Sequence, residues 1–70
     1  MKAIVFKTNL QNDYQKQMLA PVISRMKGVA RWSVDFMDKN KTLRIEGHGL
    51  KPQKIQEDIT NAGFECKMMY

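Results

Sequence analysis

Apolar positions recur along this chain with two different periods. From Lys2 to Thr8, Ile4, Phe6 and Thr8 alternate with Ala3, Val5 and Lys7, and Leu10 continues the first set. A period of two predicts a strand. From Asn12 to Lys27, Met18, Leu19, Val22, Ile23 and Met26 are three and four apart. That spacing predicts a helix with one apolar stripe, stopped by Gly28. Pro21 lies inside it and predicts a kink or looser early turns. Arg31 to Met37 returns to a period of two, with Trp32, Val34 and Phe36 on one side. Asp38-Lys39-Asn40-Lys41 is a polar turn. Thr42 to Gly47 predicts a third strand with Leu43 and Ile45 inward, and His48-Gly49 a loop. Pro52 to Ala62 predicts a second helix, with Pro52 at its first position, Ile55 and Ile59 inward and Gly63 at its end. Leu50 and Ile55 have the spacing of a hydrophobic staple. Phe64 to Met69 predicts a last strand.

The order βαββαβ makes two split βαβ units. Right-handed crossovers then give an α+β, ferredoxin-like sandwich: a four-stranded antiparallel sheet with both helices on one face. The phases predict a core of Ile4, Phe6, Leu19, Val22, Ile23, Trp32, Val34, Leu43, Ile45, Ile55, Ile59 and Cys66. This fold hosts many unrelated activities, so function has to be argued from particular residues.

Composition narrows the picture. The 70 residues, 43% of them hydrophobic, predict one domain over 1–70 and a small core. A chain of this size buries only about 60% of its unfolded surface. No apolar run approaches the roughly 20 residues of a membrane span. The N-terminal apolar stretch is too short for a signal peptide, which predicts a cytoplasmic protein. The single cysteine, Cys66, excludes an internal disulfide and any cysteine-pair metal site within one chain. The net charge of +5 suits solubility and weak attraction to anionic surfaces.

Phe6-Lys7-Thr8-Asn9-Leu10-Gln11-Asn12-Asp13-Tyr14-Gln15, which runs from the first strand into the first helix, and several later segments resemble those of heavy-metal-associated, copper chaperone-like domains. Phe6 to Gln15 is similar to that family's F-x-V-x-M-x-C-x-x-C start. Lys27-Gly28-Val29, Trp32-Ser33-Val34-Asp35, Leu43-Arg44-Ile45-Glu46-Gly47 and Asn61-Ala62-Gly63-Phe64-Glu65 look like later family segments, in the right order along the whole chain. Pro21 is similar to a proline found mid-helix in some bacterial members. The resemblance implies the same fold and a role in metal handling. It also implies that the loop at 12–15 docks on a protein partner related to metal transport. The chain departs from the family at the two metal-binding cysteines, which are Asn12 and Gln15 here. Thiolates select soft or borderline ions such as Cu(I) and Zn(II). Asn12 and Gln15 offer neutral amide oxygens, and Asp13 adds one carboxylate.

The replacement also reads as a helix cap. Asn followed three residues later by Gln resembles a capping box, with Asn12 accepting from the Gln15 amide and the Gln15 side chain returning to the Asn12 amide. The candidate interaction loop is Asn12, Asp13, Tyr14 and Gln15 together with Phe64, where Tyr14 and Phe64 would leave an apolar spot at one end of the domain; the other reading of Phe64 is a core position. The expectation is a non-enzymatic domain with a degenerate metal site, no cofactor and an unidentified protein partner, present as a monomer or weak dimer. The alternative is an atypical copper or zinc carrier using non-cysteine or intersubunit ligands.

A third alternative is a basic nucleic-acid or membrane-surface binder. Ferredoxin-like RNA binders stack bases on aromatics exposed on the sheet. The outward phase here, Ala3, Val5, Lys7, Arg31, Ser33, Asp35, Thr42, Arg44, Glu46, Glu65, Lys67 and Met69, has no aromatic and mixes acids with bases. Nucleic acid is therefore not the expected partner. Met18 and Met26 fit core filling rather than Cu(I) binding. His48, beside glycine, reads as a solvated loop residue. No phosphate loop, nucleophile triad or acid–base pair is present.

Overall fold

The computed structural model describes residues 2–69. The elements follow the predicted order: β1 (Lys2–Thr8), α1 (Asp13–Ser24), β2 (Val29–Asp35), β3 (Thr42–Gly47), α2 (Pro52–Asn61) and β4 (Cys66–Met68). The strands make one antiparallel sheet in the order β2-β3-β1-β4. The fold is the ferredoxin-like βαββαβ sandwich.

The two central strands carry the sheet's share of the core. Ile4 pairs with Ile45 and Phe6 with Leu43 across β1 and β3, and all four are fully buried. Leu19 and Ile23 of α1 and Ile55 and Ile59 of α2 pack on them, with Leu10 from the intervening loop. Each such side chain contributes about 1.5–3 kcal/mol when taken from water.

Four of the predicted core residues, Val22, Trp32, Val34 and Cys66, are only half-buried against this cluster. Trp32 and Val34 lie on β2 and Cys66 on β4, the two edges of the sheet, where the helices give less cover. The Trp32 ring instead has the Lys16 ammonium 5.6 Å from its centroid, a cation–π contact. Val22 lines a groove between the helices. Met18, counted in the apolar stripe, is 53% exposed. Met68, in phase with Cys66, is also exposed.

Several element boundaries move. Helix α1 runs across Pro21 but ends at Ser24, three residues before Lys27, and the Ser24 hydroxyl donates to the Pro21 carbonyl at 3.0 Å. Strand β2 starts at Val29, because a bulge between Val29 and Arg31 lets Val29 pair with Gly47 and Arg31 with Glu46. Helix α2 stops at Asn61 rather than Ala62, and β4 starts at Cys66 rather than Phe64.

The β2–β3 turn is held by Asp38, which accepts from the Thr42 hydroxyl and from the Asn40 amide at 3.4 Å. These bonds hold its carboxyl below the ordinary range. On the outer face of the sheet, Glu46 is bridged by Arg31 and Arg44, and Arg31 above all lowers its carboxyl.

Candidate functional site

Strand β1 delivers the loop at 9–12, and Thr8 anchors its start. Thr8 is a buried polar residue at the last inward position of the strand. Its hydroxyl donates to the Lys41 carbonyl at 2.6 Å and accepts from the Leu10 amide at 3.3 Å. Its amide donates to the Asn40 carbonyl at 3.1 Å. The loop is thereby tied to the β2–β3 turn. Leu10, fully buried, pins it to the core. Asn9 ties it to the segment before β4, accepting from the Glu65 amide at 3.0 Å.

Beyond these anchors the chain enters α1. Asn12 is the N-cap, in extended backbone conformation, and its Oδ1 accepts from the Gln15 amide at 2.9 Å. The Gln15 side chain does not return to the Asn12 amide. Its Oε1 accepts from Gln11 instead, at 2.8 Å. The loop path presents the Gln11 amide to that oxygen, so the reciprocal pair is offset by one residue. Asp13 adds a carboxylate in the first helical turn, where the helix dipole favours it.

Tyr14 and Phe64 differ in environment. Tyr14 is 71% exposed. Phe64 is half-buried and packs against the core, with its amide donating to the Ile59 carbonyl at 3.3 Å. Phe64 thus serves the core, and the exposed apolar surface on α1 is made by Tyr14 and Met18, one turn apart. Sequence reasoning missed the loop anchors Thr8, Asn9 and Leu10. A threonine in the inward phase of β1, followed by an inward leucine beyond the strand, was the available signal.

Solved structures that share this architecture include three domains that bind or handle metals, by their descriptions or names. A copper-binding domain from HMA7, a P-type ATPase, matches with a TM-score of 0.82 at 19% identity, over 100% of this chain and 96% of that one. The yeast copper transporter domain CCC2A, solved in apo and Cu(I)-loaded states, matches with a TM-score of 0.85 at 12% identity, over 100% and 97%. Oxidized MerP from Ralstonia metallidurans CH34 matches with a TM-score of 0.79 at 14% identity, over 99% and 97%. This chain shares their fold. No protein-family model and no curated protein matches it.

On this version of the fold, the two amide oxygens at 12 and 15 already accept backbone hydrogen bonds. A metal would have to compete with both bonds for the same oxygens. Cys66 pairs with Thr8 across β4 and β1. Burial pushes its thiol up to about 12, so at neutral pH it is protonated, whereas soft ions take the thiolate. Among the described residues there is no group of three His, Cys, Asp or Glu side chains placed to hold an ion. No helix is long and apolar enough to cross a membrane among them.

The cap has a measurable weight. Asn12→Ala is expected to lower stability by about 0.5–2 kcal/mol, the range for a lost N-cap. Gln15→Ala should cost less, since it frees one exposed amide. The two effects should be non-additive, because both residues belong to one hydrogen-bonded unit. Denaturant midpoints of the single and double variants check this; three midpoints equal to wild type would show that the loop bonds contribute nothing to folding.

Proposed function

We propose that this chain is a heavy-metal-associated-type module with a degenerate metal site. It acts without enzymatic chemistry, by contacting a protein related to metal handling through the 12–15 end of the domain. The observation that carries this reading is the use of both amide oxygens, at the positions matching the family's cysteines, as acceptors for backbone N–H groups. The capping bonds order the loop without an ion. A rigid loop loses little entropy on docking. Exposed Tyr14 and Met18 on α1 supply the apolar contact, and aromatic residues and methionine are enriched at protein interfaces.

Competition titrations with a chelator decide the first half. The monomer is expected to bind neither Cu(I) nor Zn(II) more tightly than about micromolar, since soft ions need paired soft ligands. Native mass spectra with one ion per chain, retained against the chelator, would refute it. The second half is tested by a photo-crosslinking residue in place of Tyr14, with Ser33 on the outer sheet face as control. A partner trapped from position 14 and not from 33 is the expected outcome; equal yields would remove the docking role.

A further inference from the structure

The opposite end of the molecule carries cations where a helix start favours acids. Helix α2 begins there with Lys51 as its N-cap, making no side-chain capping bond, and Lys54 follows in the first turn. No acid lies in that turn. A helix N-terminus carries partial positive charge and unpaired amides, so acids and Ser, Thr, Asn or Asp caps are favoured and cations are disfavoured. The sequence does the reverse, and then adds Lys27 and Arg25 from the C-terminal end of α1 across the same groove. Asp58 is the one acid lining it, and Lys54 already holds it at 3.0 Å.

The groove has a volume of about 470 Å³ and an apolar floor of Met26, Leu50 and Ile55. Four exposed cations against one acid line this apolar hollow. We propose that it docks an acidic amphipathic segment of a partner protein, with apolar side chains on the floor and carboxylates against Lys27, Lys51 and Lys54. The carboxylates would also meet the free amides at the start of α2. The shape argues against the other anionic partners. A bilayer is met by protruding apolar side chains, and here they lie at the bottom of a hollow. A nucleic-acid backbone has no use for an apolar floor. The site lies about 18 Å from Asn12 along α1 at 1.5 Å per residue. It is therefore independent of the loop, and its failure would leave the reading of the loop untouched.

The test uses a short synthetic peptide with leucines at helical spacing and glutamates elsewhere, followed by methyl and amide NMR shifts on the intact chain. Saturable shifts centred on Met26, Leu50 and Ile55 are expected. Lys51→Asp should weaken binding about tenfold, as for removal of a close charge pair, while raising the denaturant midpoint by supplying the missing cap. Lys27→Glu, outside α2, should weaken binding without that gain. Opposite movement of affinity and stability is the signature of cations kept for a ligand. Unchanged affinity in both variants, or shifts spread evenly over the lysines of the whole surface, would overturn the proposal. So would binding to phosphatidylserine vesicles, or to an oligonucleotide, in preference to the peptide.

Discussion

Gly47→Ala is expected to remove a large share of the protein's stability. A Cβ at position 47 would lie 1.9 Å from the Gly28 carbonyl oxygen, 2.9 Å from its carbonyl carbon and 3.0 Å from the Val29 Cα. All three are backbone atoms, so no side chain can rotate away. The strands meet here because Val29 pairs with Gly47 beside the bulge, and the His48 amide donates to the Gly28 carbonyl at 2.9 Å. Relief would require separating the start of β2 from the end of β3. Overpacking usually costs about 1–3 kcal/mol, and a backbone clash belongs at or above the top of that range. A chain of this size has roughly 4–10 kcal/mol in total. Gly49→Ala is the control. Its φ of 65° is unfavourable for alanine, but a Cβ there meets nothing within 4 Å, so it should cost only the roughly 1–2 kcal/mol of left-handed backbone strain. Urea midpoints separate the two; equal losses would mean that the β2–β3 end is free to open.

The same pair of strands shows what the sequence could and could not reveal. Strands β1 and β3 were readable to the residue, since each alternates cleanly between polar punctuation. The phase of Trp32 and Val34 was also readable, and both do face the helices. Their degree of burial was not, because alternation identifies a face and says nothing about whether a strand is central or at an edge. That depends on the order β2-β3-β1-β4, a property of the crossovers. The bulge at Val29/Arg31 was hidden for a related reason: an extra residue shows only against its partner strand. Helix α1 was overextended because Met26 keeps the helical spacing and Gly28 supplies a stop signal. The chain ends the helix earlier, in a tightened turn where the Arg25 and Met26 amides reach the carbonyls of Val22 and Ile23.

At the loop, spacing gave the residues but not their partners. Which amide Gln15 reaches depends on how Thr8, Asn9 and Leu10 bend the chain before α1. Those bends rest on contacts with Lys41, Asn40 and Glu65, between 32 and 56 positions away. No local pattern reports them. The charge at the start of α2 stands in the sequence, with Lys51 before Pro52 and Lys54 two residues after it, but a pair of lysines on one segment marks no site. It became a surface only when the fold brought Lys27 and Met26 beside them.

Replacing Asn12 and Gln15 together by cysteine is expected to create a Cu(I) site. The two positions are the N-cap and the third residue of α1, three apart on adjoining backbone, with Asn12 exposed and Gln15 half-buried. A helix N-terminus lowers thiol pKa, which raises the thiolate fraction at neutral pH. Two thiolates are the ligands that Cu(I) selects. Affinity should rise by about a thousandfold or more over wild type, a gain of roughly 4 kcal/mol. Asn12→Cys or Gln15→Cys alone should gain little, because one thiolate leaves the ion without its second soft ligand. The apo double variant should be less stable than wild type by about 1–2 kcal/mol through loss of the cap. Saturating Cu(I) should restore that loss, since a ligand bound only by the folded state stabilises it. Competition with a chelator and denaturant midpoints with and without metal read both effects. Lower stability without new binding would show that the anchors at Thr8, Asn9 and Leu10 hold the loop in a path that keeps the two side chains apart. The likeness to copper-binding domains would then stop at the scaffold, and the loop would have been rebuilt around its hydrogen bonds.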